Sequence, residues 1–477
     1  MAHLLERIYP HVPVWAQNLG ISLYGIAWRR ERLGGEFDRY VREFSVRDRW
    51  SPSEMHDYLD QRVKEVLLHA FDEVPYYRSK WKQAGLDREH LKRVGVEDLP
   101  GIPATRKQDL RSTPDQFVAQ DVARVKKLHR YYSSGSTGTP VTAICTDGDH
   151  QRYIAAREVR SFGWAGASIR MPRSMIGGRL VVPRGNSAPP FHRYNRAEHQ
   201  VYFSAYHIGP ATVESYVSAF NHHRPRLLTG YAYSHYILGR MMNDRGLTLD
   251  YEPKALVLSS EKLTTEMKIT MSQAFRARAF EEYGAVENCM LATECEHGRL
   301  HVSPDFGVIE IVDENNFPVS PGKEGRILCT SLLSETQPLV RYEIGDLGMW
   351  SSAQCTCGRH QFPILHEIVG RLEDVVVGPD GREMVRFHGM FIGLPYVLEG
   401  QVVQEALDRF LVRVVAEKGF GPREERLIQD RFEQRLGHVN VRVEQVKEIE
   451  RTERGKFRAV ISLLSQEEPR TTVNNAE

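Results

Sequence analysis

The chain has 477 residues, 41% of them hydrophobic and 26% charged, with 63 basic against 62 acidic side chains and a net charge of +1. That balance excludes a disordered or membrane-embedded chain and gives no global attraction to nucleic acid or to anionic lipid. The length exceeds one core of ordinary size, so two or more domains are expected.

The opening residues, MAHLLERIYPHVPVWAQNL, carry no basic leader followed by an apolar block and do not read as a secretory signal. Residues 19–28, LGISLYGIAW, are apolar and precede RRER. They predict a helix packed on its domain, with contact to a membrane surface as the alternative reading. No apolar run reaches the length of a membrane span. Residues 52–98 predict helices, since PSEMHDYLDQRVKEVLLHAFDEV places apolar side chains at helical spacing.

From residue 125 the pattern alternates. Strand-like runs (KKLHRYY, RSMIGGRLVV, HQVYFSAYHI, RLLTGY, ALVLSS, ARAFEEY) are interleaved with helix-like runs such as PATVESYVSAFNHH and TTEMKITMSQAF. This predicts an α/β fold with layered sheets. Around residue 307 the chain turns to hairpin-rich β structure, with turns at ENN and SPGKEG. A boundary is expected near residue 370. Residues 371–465 then predict a small, mobile α+β domain in which FLVRVVAE, VNVRVEQV and KFRAVISLL surround the helical run REERLIQDRFEQRL. Residues 466–477 are polar and predict a disordered tail. Six cysteines in a long chain of this kind argue for free or metal-bound thiols in a reducing compartment, hence a cytoplasmic protein.

The segment LHRYYSSGSTGTPV contains seven consecutive residues, Ser133 to Thr139, that are only Ser, Thr and Gly. Backbone amides in such a loop can turn inward and form a concave anion site, and Gly135 and Gly138 permit the positive φ the curl needs. No lysine follows Gly138 and the GxGxxG spacing is absent, so this is neither a Walker loop nor a dinucleotide fingerprint. On its own the loop reads as a phosphate cradle or as a polar surface turn.

In its wider setting SSGSTGTPV resembles the signature loop of the adenylate-forming superfamily, the acyl-CoA ligases and their relatives. Thr139 stands where that loop usually has lysine. Four further segments follow in the family's order. EEYGAVEN (281–288) resembles the adenine-binding segment, RYEIGDLG (341–348) the ribose-binding segment, GRLED (370–374) the hinge, and RTERGKFRAV (451–460) the catalytic-lysine segment. VPVWAQNLGISLYGIAW, FDEVPYYRSKW and CTCGR are similar to the branch of phenylacetate–CoA ligases and ligase-like proteins encoded with capsular polysaccharide genes.

The resemblance implies attack of a carboxylate on the α-phosphate of ATP, giving an acyl-adenylate and pyrophosphate. It further implies that Ser133, Ser134, Gly135, Ser136, Thr137, Gly138 and Thr139 cradle the phosphates. Tyr283 and Gly284 would meet the adenine, Glu287 would hold magnesium, Asp346 the ribose hydroxyls and Arg371 the ribose and phosphate side. Glu373 would stand at the hinge, and Lys456 would bridge the carboxylate and the α-phosphate as the catalytic cation. Glu343-Ile344 replaces the usual Arg-Thr pair before Gly-Asp. From its place after the strand-like ALVL, Glu261 is expected on the adenine side, and His207 is a candidate for the acid pocket.

Cys295 and His301 in ECEHGRLH, with Cys355 and Cys357 in QCTCGRH, supply four ligands suited to structural, tetrahedral zinc. The leading function is an ATP-dependent, AMP-forming acid–thiol ligase acting on a small carboxylic acid, most simply with coenzyme A. The alternatives are acyl transfer to an amine or carrier in polysaccharide biosynthesis, and a non-catalytic nucleotide-binding relative. Sequence does not name the acid, and it leaves the oligomeric state open, a homodimer included.

Overall fold

The computed structural model describes residues 9–133, 141–183, 186, 188–371, 376–379, 383–384, 391, 394–450 and 457–464; the side chains of Pro10, Arg371, Glu383, Met384 and Arg435 are also outside it. The chain divides into two compact units, Met1–Ile344 with Gly348–Ile368, and Gly345–Leu347 with Val369–Glu477.

In the first unit the longer helices near the N-terminus are α1 (Val14–Leu33), α2 (Phe37–Arg47), α3 (Pro52–Glu73) and α4 (Pro75–Gln83). The 52–98 segment is broken into several helices, because Pro75 lacks the amide that would continue α3 and instead opens α4. At the start of α3 the Ser51 hydroxyl accepts from the Glu54 amide while the Glu54 carboxylate accepts from the Ser51 amide, so two otherwise orphaned donors are satisfied. Met55, Leu59, Val63, Val66, Leu67 and Ala70 then form the buried stripe that spacing predicts. They share a core with Tyr77, Trp81, Phe117 and Tyr342.

A hairpin follows, β1 (His129–Tyr132) with β2 (Thr142–Cys145), and then α5 (Asp147–Arg157). The alternating region supplies β3 (Arg173–Gly177), β4 (His192–Asn195), β5 (Gln200–Ser204), α6 (Val213–His223), β6 (Leu227–Tyr231), α7 (Ala232–Asp244), β7 (Ala255–Ser259), α8 (Thr265–Phe275) and β8 (Ala279–Gly284). β8, β7, β6, β3 and β5 pair in parallel in that order, and β4 closes the edge antiparallel to β5. Beyond β8 the sheet turns antiparallel through β9 (Leu291–Glu294), β10 (Leu300–Val302) and the hairpin-rich strands β11 (Gly307–Val312), β12 (Glu324–Ser331), β13 (Tyr342–Trp350) and β14 (Ile364–Arg371). The fold is therefore mixed α/β, as the alternation predicts.

The parallel strands are buried on both faces, which is why they read as short continuous apolar runs. Phe203, Leu228, Leu256 and Leu258 pack there with Phe220, Met242 and Phe275 from the covering helices. After α5, a π-helical turn (Glu158–Phe162) presents Arg160 to Asp305 at 3.0 Å and to Asp48 at 2.9 Å; the Arg160 and Asp305 side chains are both fully buried. A buried guanidinium is tolerable here because Asp305 is buried with it and Asp48 pairs with it as well.

The second unit holds β15 (Val376–Val377) paired with β16 (Glu383–Met384), and a four-stranded sheet of β17 (Val397–Ala406), β18 (Arg409–Ala416), β19 (Asn440–Gln445) and β20 (Val460–Ser462), ordered β19-β18-β17-β20. Helix α9 (Pro422–Leu436) covers that sheet through Ile428, Phe432 and Leu436. Among the described residues, KFRAVISLL contributes the three-residue β20. The predicted tail, 466–477, lies outside the described residues.

The residues 19–28 depart from expectation. They are helical, as part of α1, but Leu19, Leu23 and Ile26 are exposed instead of packed on the domain. The contacts that seat α1 are made largely by its polar residues.

Candidate active site and metal centre

The register of the parallel strands brings their carboxyl ends to one line. Gly177 pairs with Ser204, Ile176 with Gly230, Gly230 with Leu258, Tyr231 with Ser259, and Leu258 with Glu281. Ligands of parallel sheets bind outside this edge. Gly230 has φ +120°, and a β-carbon there would lie 1.9 Å from the Ile176 carbonyl oxygen, so the edge requires glycine at this point.

Several predicted residues stand along that edge. Glu261 follows β7 and accepts from the Tyr233 amide at 3.4 Å. Its neighbour Lys262 is ion-paired with Glu367. Tyr283 and Gly284 end β8, with Tyr283 half-buried and Gly284 exposed. Glu287, in the turn beyond, is 8% exposed and accepts from the Tyr342 hydroxyl at 3.1 Å. His207 lies just after β5; Ser204 Oγ and His207 Nδ1 are 2.7 Å apart, and the imidazole stacks on Phe191.

Glu281 joins this set without having been singled out in the sequence. On β8 it shares a face with Tyr283, while Glu282 points the other way to a two-point contact with Arg157 at 2.9 and 2.7 Å. Burial raises the Glu281 carboxyl above its ordinary range, Lys268 opposes that shift and Glu294 adds to it. The doublet EEY places the two acids on opposite faces of the strand by its two-residue period, but does not show which of them meets the strand edge.

Ser133 sits at the neck of the Ser/Thr/Gly loop. Its amide donates to the Val141 carbonyl at 2.9 Å, and its hydroxyl accepts from the Val141 amide at 2.8 Å. The rest of the loop, Ser134, Gly135, Ser136, Thr137, Gly138 and Thr139, lies outside the described residues, as do the hinge residue Glu373 and the predicted catalytic Lys456. Arg371 ends β14, with its side chain undescribed. Asp346 is half-buried on β13, in the stretch Gly345–Leu347 that belongs to the second unit. The strand edge of the first unit therefore gathers Glu261, Tyr283, Gly284 and Glu287. A separate cavity of about 630 Å³ is lined by Tyr76, Lys80, Arg106 and Asp109, among others, and by none of the predicted residues.

The four predicted metal ligands meet. Cys295 follows β9, His301 lies on β10, and Cys355 and Cys357 precede β14; one ligand atom from each lies within 4.8 Å of all the others. Cys295 Sγ and Cys355 Sγ are 3.7 Å apart, and Cys357 Sγ is 3.4 Å from His301 Nε2. A zinc–sulfur bond of about 2.3 Å implies a tetrahedral edge of about 3.8 Å, so the sulfur spacing fits zinc and is far too long for a disulfide. The His301 Nδ1–H donates to the Phe362 carbonyl at 3.0 Å, which turns the Nε2 lone pair toward the cluster. The His297 amide points at Cys295 Sγ at 3.4 Å, a contact that favours a thiolate. Gly298 and Gly358 supply the positive φ that each tight turn needs, +77° and +81°. Burial raises both thiols. In Cys357 the Arg359 amide, Cys355 and the Arg359 guanidinium outweigh it and draw the group below its ordinary value, whereas Cys295 is pushed up to about 11.

A second polar cluster holds α1 to the hairpin. Glu31 accepts from the Tyr131 hydroxyl at 2.9 Å, with His150 beside it, and His129 Nε2 lies 2.6 Å from Asp147. Internal hydrogen bonds and ion pairs account for this arrangement.

Comparison with known proteins connects these features. Residues 379–463 match the family described as the CapK C-terminal domain. Protein CapK of Staphylococcus aureus is 24% identical over 416 residues, covering 86% of this chain and 88% of that protein. The phenylacetate–coenzyme A ligase of Thermus thermophilus is 28% identical over 329 residues, covering 67% and 70% of the two chains. Among solved structures, a 2-hydroxyisobutyryl-CoA ligase in its postadenylation state superposes with a TM-score of 0.66 at 21% identity, over 86% of this chain and 90% of that one. At that identity the likeness speaks for the fold.

Proposed function

We propose that this chain, which belongs to the adenylate-forming superfamily in the branch of CapK and the phenylacetate–coenzyme A ligases, activates a small carboxylic acid with ATP and transfers the acyl group to coenzyme A. The observation that carries the reading is the strand edge, where Glu261, Glu281, Tyr283, Gly284 and Glu287 stand at the carboxyl ends of parallel strands. The segment from Glu281 to Glu287 is the one that resembles the superfamily's adenine-binding segment.

In this reading the protein positions two anions and neutralises the charge that builds as they react. The carboxylate of the acid attacks the α-phosphorus of ATP, and pyrophosphate leaves. Amides and hydroxyls of residues 133–139 hold the phosphates, with Thr139 donating a hydroxyl where relatives place a cation. Tyr283 and Gly284 take the adenine, Asp346 and Arg371 the ribose. Lys456 lies between carboxylate and α-phosphate, and Glu373 marks the hinge between half-reactions. Glu287 fits a hard cation because it offers carboxylate oxygen and is fixed in place by Tyr342. Magnesium bound there would neutralise phosphate charge. Cys295, His301, Cys355 and Cys357 fit structural zinc, which would tie β9 and β10 to the segment before β14. Thiols held reduced for such a site accord with a cytoplasmic enzyme.

The alternative acceptor is an amine or a carrier thiol. Pyrophosphate release in the presence of acid and ATP, assayed with coenzyme A, with amines and with neither, tests the reading. Turnover that needs coenzyme A supports it, turnover that needs an amine supports the alternative, and no pyrophosphate with any acid contradicts both.

A further inference from the structure

Helix α1 is seated by polar contacts and shows its apolar side to solvent. The buried Gln17 donates to the Tyr9 and Val12 carbonyls at 3.0 Å each and pairs with Arg193. Asn18 Oδ1 accepts from the Tyr194 amide at 3.0 Å, the Ser22 hydroxyl accepts from the Arg196 amide at 3.0 Å, and Arg29 donates to the Ala197 carbonyl at 3.1 Å. Gly25 lies so close to Asn195 that a β-carbon would come within 2.3 Å of its side chain. Ile21 and, at the far end of the helix, Leu33 meet apolar cores.

The opposite face is apolar. Trp15 is 70% exposed, Leu19 54%, Leu23 60% and Ile26 48%, and their spacing places them on one side of the helix. Tyr24, at 63%, is exposed further round the helix. Five of the fourteen well-exposed large hydrophobic side chains among the described residues are thus on one helix, which makes a patch and not a scatter. Leu180, also exposed, adjoins Val181, whose carbonyl takes the Tyr9 hydroxyl just before α1.

The charge on this stretch of the helix has one sign. No Asp or Glu occurs from Tyr9 to Arg30, and Arg29, Arg30 and Arg196 are exposed beside the apolar face. The next acid after this stretch, Glu31, is turned toward Tyr131 and His150. We propose that α1 lies flat on an anionic bilayer, with Trp15, Leu19, Leu23 and Ile26 in the boundary between headgroups and acyl chains and the arginines on lipid phosphates. Tryptophan and tyrosine are the side chains that favour that boundary. No helix among the described residues is long and apolar enough to cross a membrane, so the helix rests on the surface and does not span it. A second copy of the same face would bring more arginines and no carboxylate to meet them. The whole chain, at net charge +1, has no general attraction to anionic lipid, so binding is confined to this face.

Flotation of the full-length protein tests this, using phosphatidylcholine vesicles with and without phosphatidylglycerol. The chain is expected to float with the anionic vesicles and to be released by salt. A Leu19→Glu, Leu23→Glu double variant is expected to lose at least about tenfold in binding, since each change puts a charge at the apolar boundary. Its melting temperature stays that of the wild type, because both side chains are exposed. Arg29→Gln with Arg30→Gln is expected to weaken binding several-fold and to flatten its salt dependence. Wild-type protein that stays with the soluble fraction overturns the proposal, as does a double variant that floats like the wild type. So does a dimer, seen by light scattering, that the double variant dissolves while no vesicles are bound.

Discussion

The two polar centres of the first unit are built on opposite plans. The Cys/His cluster takes its ligands from two short segments, holds them within 4.8 Å of one another, and fixes His301 by a backbone carbonyl. The strand edge takes its residues from β5, β6, β7, β8 and the turn beyond, over eighty residues of chain. Its remaining predicted members, Asp346, Arg371, Glu373 and Lys456, fall in the second unit. The first plan gives a centre that is complete when the first unit folds. Under the proposed function the second would draw its remaining groups from the other unit. A structural ion needs rigidity and closure, whereas a reaction with two half-steps needs parts that exchange.

This contrast predicts which changes separate activity from stability. The largest expected effect is Lys456→Ala, which should lower acyl-adenylate formation by about 10²–10³-fold, the scale of removing one group that meets developing charge. Metal content and melting temperature should stay unchanged. Equal loss in all three would show that Lys456 is structural.

Cys355→Ser should do the reverse. The purified wild-type chain is expected to hold about one zinc per chain by metal analysis. The variant should lose it along with roughly 2–4 kcal/mol of stability, while some adenylation persists at low temperature. Freshly prepared wild type without zinc would remove the basis of the comparison.

Gly230→Ala probes the strand edge itself. The new β-carbon meets the Ile176 carbonyl oxygen at 1.9 Å in a backbone region closed to alanine, so a loss of roughly 2–3 kcal/mol is expected in denaturant titrations. A neutral substitution would mean that β3 and β6 can part at this point.

The smallest effect concerns pH. His235 is fully buried behind β6, and burial lowers its pKa to about 4 despite the hydrogen bond to the Tyr231 carbonyl. The folded state thus keeps it neutral where the unfolded chain, with a pKa of about 6.5, takes up a proton. Its contribution is fully present above about pH 6.5 and is lost as the pH falls toward about 4. The melting temperature should decline through that window, and less steeply in His235→Asn. Parallel slopes would assign the decline to other groups.

The two plans also differ in how well they could be read from the chain. The α/β alternation was legible because parallel strands covered on both faces become short apolar runs between amphipathic helices. The meeting of Cys295, His301, Cys355 and Cys357 was legible because paired Cys and His segments of this kind suit a shared tetrahedral site. Glu281 was not, since an acid beside another acid in a strand reads as surface until the register shows which one turns inward. Gly230 was missed for a similar reason, because its close approach to Ile176 is set by a strand more than fifty residues away. The exposure of Leu19, Leu23 and Ile26 could not be read either. An amphipathic pattern shows that a helix has two faces, but only its contacts show which one the domain takes.

The central claim is that the strand edge serves carboxylate activation, and ATP–pyrophosphate exchange against a panel of carboxylic acids tests it most directly. The account predicts acid-dependent exchange by the wild-type protein, supported by magnesium, with one class of acid standing out. ATP binding without exchange for any acid would contradict it and leave a nucleotide-binding protein that does not turn over.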